Sequence, residues 1–423
     1  KTLQVISFLL VEHTGCSLIV CPASLVYNWK HELERFAPSL KADMVTGNVQ
    51  QRKEVLDRWK EVDVLITSYD LLRRDITDYQ ELHFFCEVID EAQYIKNHGT
   101  QAARAVKQVQ TGFRLALTGT PIENRLSELW SIFDYLMPGY LYSYQRFRTE
   151  LEQPIVQHKD EDAAKRLIRP FVLRRLKKEV LQDLPDKLEE NLYADMDGEQ
   201  QELYDAHVRR MKLMLEEKSD EEIRTDKIEI LAELTRLRQL CCDPALLYDN
   251  YKGGSAKTEL VRGLIRNAVE NGHKVLLFSQ FTTMLERLYR ILEEEKIASH
   301  MLTGATPKEK RIEMVESFAH DEVPVFCISL KAGGTGLNLT AADVVIHFDP
   351  WWNSAVQNQA TDRAHRIGQK NVVNVYRILA KGTIEEKIVE LQERKLQLSD
   401  RILGGESLQA QGLTREELLE LLR

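Results

Sequence analysis

Apolar runs without polar alternation recur early in the chain, at Leu18 to Pro22, Val62 to Thr67, Cys86 to Ile89 and Phe113 to Leu117. A strand that is apolar toward both faces must be covered on both, so these runs predict a parallel sheet between helices. The segment carrying Trp29 and Leu33 reads as one covering helix. From about Met137 to Gly254 the pattern changes. Glu199 to Glu217 and Asp220 to Cys242 place apolar residues three and four apart among charges, which predicts helical insertion and no sheet. Tyr251-Lys252-Gly253-Gly254-Ser255 is the natural linker. A second series of apolar runs follows at Lys274 to Phe278, Val323 to Ser329, Val344 to Phe348 and Val372 to Ile378. A helix from Ile384 to about Leu403 and an amphipathic tail, Leu413 to Arg423, close the chain. The expected fold class is α/β, two doubly wound parallel-sheet lobes whose ligands sit at the carboxyl ends of the strands.

Composition narrows this only a little. The 423 residues are 43% hydrophobic and 29% charged, as in an ordinary globular protein, and no apolar run reaches the roughly 18 residues of a membrane span. With 57 basic against 66 acidic residues the formal charge is −9, which excludes a basic coat held to nucleic acid by bulk charge. Six cysteines show neither a CxxC pair nor zinc spacing and are expected to be reduced and buried, as in an intracellular protein. Adjacent Cys241 and Cys242 should point to different faces of a helix. The opening residues do not resemble a secretory signal.

Candidate chemistry begins at Val88-Ile89-Asp90-Glu91-Ala92-Gln93, where a strand ends in two carboxylates. In phosphoryl transfer one acid holds Mg²⁺, usually through water, and the next orients the attacking water; alternatively such a pair caps a helix. Lys1-Thr2 before an apolar helix has the form of the end of GxxxxGK[ST], a lysine for phosphates and a hydroxyl for Mg²⁺. Arg363 and Arg366, three apart, are expected on one helical face, either as guanidinium groups reaching a γ-phosphate or as salt-bridged surface residues. The glycines of Lys331-Ala332-Gly333-Gly334-Thr335-Gly336 either expose N–H groups to anions or make a tight turn.

These strings occur in order with Leu18-Ile-Val-Cys-Pro22, Ile66-Thr-Ser-Tyr69, Leu117-Thr-Gly-Thr-Pro-Ile-Glu-Asn124, Pro170-Phe-Val-Leu-Arg-Arg175, Leu276-Leu-Phe-Ser-Gln-Phe281, Asp349-Pro-Trp-Trp-Asn353 and Gln359 to Gln369. Together they resemble the motif series of the SWI/SNF-type ATPases, helicase-like DNA translocases of superfamily two. The resemblance covers nearly the whole chain. It implies two RecA-like lobes, residues 1–139 and 255–383, with helical insertions and an interlobe linker at 140–254 and a bracing helix with tail at 384–423. It implies ATP and Mg²⁺ as cofactors, with Thr2 and Asp90 at the metal, Lys1, Thr2, Gly334, Gly336 and Gln359 at the nucleotide, and Asp90, Glu91, Arg363 and Arg366 as catalytic residues. Gln93, where many members have His, would couple to Thr118 and Thr120. Pro22, Thr67, Ser68, Ser279, Gln280, Thr303, Gly304, Lys331 and Trp351 would track a phosphate backbone; Trp351 and Trp352 would alternatively pack between lobes. Arg174, Arg175, Lys177 and Lys178 fall in the linker, for ion pairing or DNA.

The function so implied is ATP-driven translocation on double-stranded DNA, remodelling nucleoprotein complexes such as those of RNA polymerase or chromatin proteins, in the bacterial cytoplasm or nucleoid, or in a nucleus. A strand-separating DNA or RNA helicase and a catalytically impaired DNA-binding fragment are the alternatives. Against the family pattern the chain begins inside the phosphate loop, after its glycines, so that this chain alone is expected to bind ATP weakly.

Overall fold

The computed structural model describes residues 1–12, 14–119, 126–152, 167–173, 175, 183–218, 222, 226–333, 337–352, 354–392, 419 and 421–422. They divide between two compact units, one within Lys1–Leu173 and the other within Arg174–Leu396 and Gln411–Arg423.

The first unit is built on strands β1 (Ser17–Cys21), β2 (Ala42–Met44), β3 (Val64–Ser68), β4 (His83–Ile89) and β5 (Gln110–Ala116), in the order β2-β3-β1-β4-β5. Every pairing is parallel. Alternate residues of β1 divide the core as a pleated strand must: Leu18 and Val20 join one apolar cluster and Ile19 and Cys21 the other. The helix Thr2–Val11 buries Val5, Ile6 and Leu9, and the helix Val26–Phe36 buries Val26, Trp29 and Leu33, both on the Ile19 face. The helix Leu126–Leu136 adds a satellite core of Leu129, Trp130 and Phe133 with Leu141 and Phe147.

The second unit carries β6 (Lys187–Ala194), β7 (Val275–Ser279), β8 (Ser299–Leu302), β9 (Val325–Ser329), β10 (Val344–His347) and β11 (Val373–Ala380), in the order β6-β11-β10-β7-β9-β8, again all parallel. Here too the two faces separate, with Val275 and Leu277 on one and Leu276 and Phe278 on the other. The helices Gly198–Glu217 and Lys227–Cys242 pack through Tyr204, Met211, Leu215, Leu234 and Leu237 and close on Ile384 and Ile388, in a stretch helical from 384 to 392. One expectation is corrected: residues 140–254 are not helical throughout, because β6 lies among them. It is an edge strand, mostly polar and exposed, stabilised by its ladder to β11 and not by an apolar face.

All six cysteines are buried and unpaired, and Cys241 and Cys242 enter different core clusters. Burial pushes the Cys16, Cys86 and Cys327 thiols up to about 12, so none is a reactive thiolate at neutral pH. Among the described residues no helix is long and apolar enough to cross a membrane.

Candidate functional site

In a parallel sheet every strand ends at the same edge. In the first unit that rim collects the segments after β3, β1, β4 and β5, in that spatial order: Ser68, Pro22, Asp90-Glu91 and Leu117-Thr118-Gly119. The start of the helix Thr2–Val11 joins them. A Cβ placed on Gly119 would lie 3.7 Å from Lys1 Nζ, so the sequence-predicted ammonium stands over the turn that follows β5.

Asp90 is held at four points. Its N–H donates to Val20 O at 2.8 Å, and its carbonyl accepts from the Tyr69 hydroxyl at 2.8 Å. Its Oδ1 accepts from Glu91 N and its Oδ2 from Trp29 Nε1, each at 2.9 Å. Glu91 adopts φ 51°, a left-handed conformation that costs a residue other than glycine about 1 kcal/mol or more. Neighbours fix it: Ala92 N donates to Leu117 O at 2.8 Å and Tyr94 N to Glu91 O at 2.9 Å. The Glu91 carboxylate accepts from Gln93 Nε2 at 2.6 Å, and Gln93 Oε1 accepts from Thr118 Oγ1 at 2.9 Å. A carboxylate can only accept, so the amide turns its NH₂ to Glu91 and its oxygen to Thr118. These hydrogen bonds link the segment after β4 to the segment after β5, at the two residues for which the resemblance implies a coupling role. Thr120 lies outside the described residues.

The donor set suits a hard cation. Both Asp90 oxygens already accept an N–H, so each keeps a lone pair free to reach a metal directly or through water. Among the described residues no group of three or more His, Cys, Asp or Glu could form a protein cage. One carboxylate, the Thr2 hydroxyl, phosphate and water match the way Mg²⁺ is commonly held.

The rim of the second unit brings together Asp349 to Trp352 after β10, Ser279-Gln280 after β7, the turn Leu330–Gly333 after β9 and Thr303-Gly304 after β8. Several side chains expected to face a polymer are turned inward. Ser279 is fully buried and donates to Asp349 Oδ1 at 2.5 Å, while Gln280 N donates to the same oxygen at 3.2 Å. In the first unit Pro22 and Thr67 are buried, and Ser68 Oγ accepts from Leu71 N at 3.3 Å, capping the helix Tyr69–Arg74. The reason is local: Ser68 and Ser279 end fully buried strands, where the next turn has backbone N–H groups to satisfy. Thr303 is half-buried and Gly304 exposed, and Arg311 Nη2 donates to both carbonyls at 3.0 Å.

Arg363 and Arg366 do not share a helical face. The helix Ser354–Thr361, which carries Gln359, ends before them, and 362–368 is a run of turns and bends. Arg363 O accepts from Leu339 N at 3.0 Å, and the Gln369 amide donates to the carbonyls of Thr340, Ala342 and Ala364. The stretch is thus held as turns by bonds to residues 339–342 and 369. Arg363 is buried and Arg366 half-buried. Gly334 and Gly336, the Lys331 side chain, Arg174, Lys177 and Lys178 lie outside what the structure describes.

Sequence reasoning missed three residues at these rims. The sequence places Trp29 only on a covering helix and Tyr69 only at the end of a motif string, but a buried indole N–H or phenol must find an acceptor, and both find Asp90. Arg238, on the helix Lys227–Cys242, is buried beside Asp349 at 3.9 Å and donates to Pro350 O. Its guanidinium carbon lies 5.5, 5.7 and 6.0 Å from the ring centres of Trp352, Phe281 and Trp351. Both tryptophans thus pack within their own unit, against the helical insertion.

Comparison with known proteins adds to this geometry. The family model described as SNF2-related domain matches residues 1–246, and that of the helicase conserved C-terminal domain matches 256–368. An uncharacterized ATP-dependent helicase of Mycoplasma genitalium is 40% identical, over all of this chain and 41% of that protein. The putative ATP-dependent helicase/translocase YwqA of Bacillus subtilis is 39% identical, over all of this chain and 47% of that protein. The TATA-binding protein-associated factor mot1 of Schizosaccharomyces pombe is 33% identical, over 96% of this chain and 24% of its own length. Among solved structures, the SWI2/SNF2 ATPase core of Sulfolobus solfataricus in complex with double-stranded DNA is 36% identical, covering this chain fully and 90% of that chain, with a TM-score of 0.47. The chain spans less than half the length of these curated relatives.

Proposed function

The chain belongs to the SNF2-related family, and from that premise we propose that it is the motor of an ATP-dependent translocase on double-stranded DNA, acting on protein–DNA complexes. The observation that carries this reading is the rim of the first unit, where Lys1, Asp90, Glu91, Gln93 and Thr118 meet at the ends of β4 and β5. Lys1 binds and neutralises phosphate oxygens. Thr2 and Asp90 would hold Mg²⁺, which would supply positive charge to offset that of the phosphates. Glu91 orients a water for attack on the terminal phosphorus and accepts its proton, and the hydrogen bond from Gln93 fixes the carboxylate for that task. Arg363 and Arg366 supply guanidinium charge of the kind that phosphoryl transfer uses.

The polymer reading draws on the motif order and on the helicase/translocase description of the Bacillus relative. Translocation without strand separation is the expected activity. The test is ATP turnover by the natural full-length protein with and without duplex DNA, together with triplex displacement and fork unwinding. Turnover stimulated by duplex, with triplex displacement, supports the proposal; turnover indifferent to duplex ends it, and robust fork unwinding replaces it with the helicase reading. Glu91→Gln should reduce turnover by about 10²-fold or more while nucleotide binding persists.

A further inference from the structure

Asp90 is gripped by two aromatic side chains, one from the segment after β1, which neighbours it on the rim, and one from the end of β3, one strand further along. The turn after β1 runs from Pro22 directly into the helix Val26–Phe36, Leu25 N donating to Pro22 O at 2.8 Å and Trp29 N to Leu25 O at 2.9 Å. Trp29 then donates its indole N–H to Asp90 Oδ2 at 2.9 Å. The segment after β3 ends in Ser68, which caps the helix that Tyr69 begins, and Tyr69 donates its hydroxyl to Asp90 O at 2.8 Å. The Tyr69 ring also stacks on Tyr94, centroids 5.2 Å apart and planes at 4°. Tyr94 is the residue after Gln93, so one side chain touches both ends of the acidic turn. Trp29 and Tyr69 are almost wholly buried, and close-packed rings transmit a displacement rather than absorb it. Next to Asp90 stands Glu91, in a left-handed conformation that persists only while its surroundings impose it.

We propose that Trp29 and Tyr69 are positioning residues that carry engagement of duplex DNA on the segments after β1 and β3 to the Asp90-Glu91 turn. The idea rests on the translocase reading above and deepens it. A polymer seated on those segments shifts or rigidifies the starts of two helices. The indole and the phenol pass that change to the carboxylate and the carbonyl of Asp90, and Asp90 Oδ1 passes it to Glu91 N. Stimulation of hydrolysis by DNA then needs no contact between DNA and nucleotide.

The experiment uses the natural full-length protein with Tyr69→Phe, Trp29→Phe and, as control, Tyr135→Phe. Tyr135 also donates its hydroxyl to a β4 carbonyl, that of Glu87 at 3.2 Å, but from the helix Leu126–Leu136, which follows neither segment. ATP turnover is measured without DNA and at saturating duplex, with the duplex Kd and the thermal midpoint. Tyr69→Phe and Trp29→Phe should each lower the ratio of stimulated to unstimulated turnover about threefold or more, with duplex Kd within about twofold of wild type, while Tyr135→Phe keeps the ratio. Should Trp29→Phe unfold, Tyr69→Phe decides alone, since it keeps the ring and its stack. The inference is overturned if Tyr69→Phe keeps the wild-type ratio, or if Tyr135→Phe lowers it equally, which would mean that any lost bond to β4 has this effect. A wild-type protein that duplex does not stimulate overturns the translocase reading itself, and the relay with it.

Discussion

Arg238→Met tests whether the helical insertion holds the rim of the second unit through charge. Methionine keeps most of the length and apolar volume of arginine but removes the cation that lies 3.9 Å from Asp349 Oδ2, the donor to Pro350 O, and the charge over three aromatic rings. Asp349 is fully buried, and removing one partner of a buried charge pair costs about 3–5 kcal/mol. The low end applies here, about 3 kcal/mol, because the distance is long, Lys257 also offsets the Asp349 charge, and Ser279 and Gln280 N still donate to the carboxylate. For a unit of this size that lowers the midpoint of its transition by roughly 6–12 °C.

Rescue and pH make the prediction specific to charge. Asp349→Asn in the same chain keeps an oxygen for the Ser279 hydroxyl and removes the stranded charge, so it should restore about half the loss. Burial already raises the Asp349 pKa, against the opposing charges of Arg238 and Lys257, and losing Arg238 raises it further. An acid whose folded pKa is raised stabilises the fold at low pH and loses that contribution as pH climbs toward the folded value. The deficit of Arg238→Met should therefore be smaller at pH 5 than at pH 8. Urea unfolding followed by tryptophan fluorescence reads this, since Trp351 and Trp352 stand at the site. A deficit below about 1 kcal/mol, or one that Asp349→Asn deepens, refutes the reasoning.

Gln93→Ala should lower ATP turnover about tenfold by releasing the Glu91 carboxylate, while Gln93→His, which keeps a ring N–H donor, should recover much of it. Glu87, buried in β4 with its carboxylate 3.6 Å from Arg114 Nε, has its pKa pushed from 4.5 up to about 8, chiefly by burial. The folded state thus keeps a proton that the unfolded chain releases, so its contribution is full below about pH 4.5 and fades through about pH 8, by a few kcal/mol in all; Glu87→Gln should flatten that loss in unfolding measured from pH 5 to 9. Duplex affinity should fall only shallowly with salt, with a log–log slope smaller in magnitude than about 6 by fluorescence anisotropy, because the acidic chain offers few cations for phosphates.

The strands most legible from sequence are those apolar on both faces, with the edge strand β5 also visible through Phe113 to Leu117. β1, β3, β7, β9 and β10 are buried along their whole length, and so largely apolar a run has no other place to go. β2, β6 and β8 escaped because each is the edge of its sheet, partly exposed and therefore free of an apolar signature. The acidic pair was legible because a buried strand ending in two carboxylates is unusual in itself. Its supports were not: nothing in the spacing of Trp29, Tyr69 and Asp90 shows that three rim segments converge on one residue. The Arg363 to Arg366 stretch misled for the opposite reason. Its local pattern is compatible with a helix, but the structure has turns there, with Arg363 O accepting from Leu339 N.

The same accounting bears on the proposal that this acidic chain works on a polyanion. Many of its cations are occupied inside the two units: Arg52 on Asp75, Arg114 on the carbonyls of Val109 and Tyr135, Arg238 on Pro350, Lys257 on Glu385, and Lys274 on the carbonyls of Phe318 and Asp321. Each replaces a buried or half-buried carboxylate or carbonyl's lost water, so these charges stabilise the fold and contribute little field outside it. For the proposed polymer the rim is a seat where parallel strands end together and where backbone N–H groups of the turns could serve as donors. In the proposed translocase such donors would recognise phosphate geometry without regard to base sequence, and Tyr69, one of the side chains that hold Asp90, directly follows the end of β3. The proposed translocase, stepping along any sequence and reporting each engagement to its carboxylates, would need both properties on one edge, and parallel topology supplies that edge.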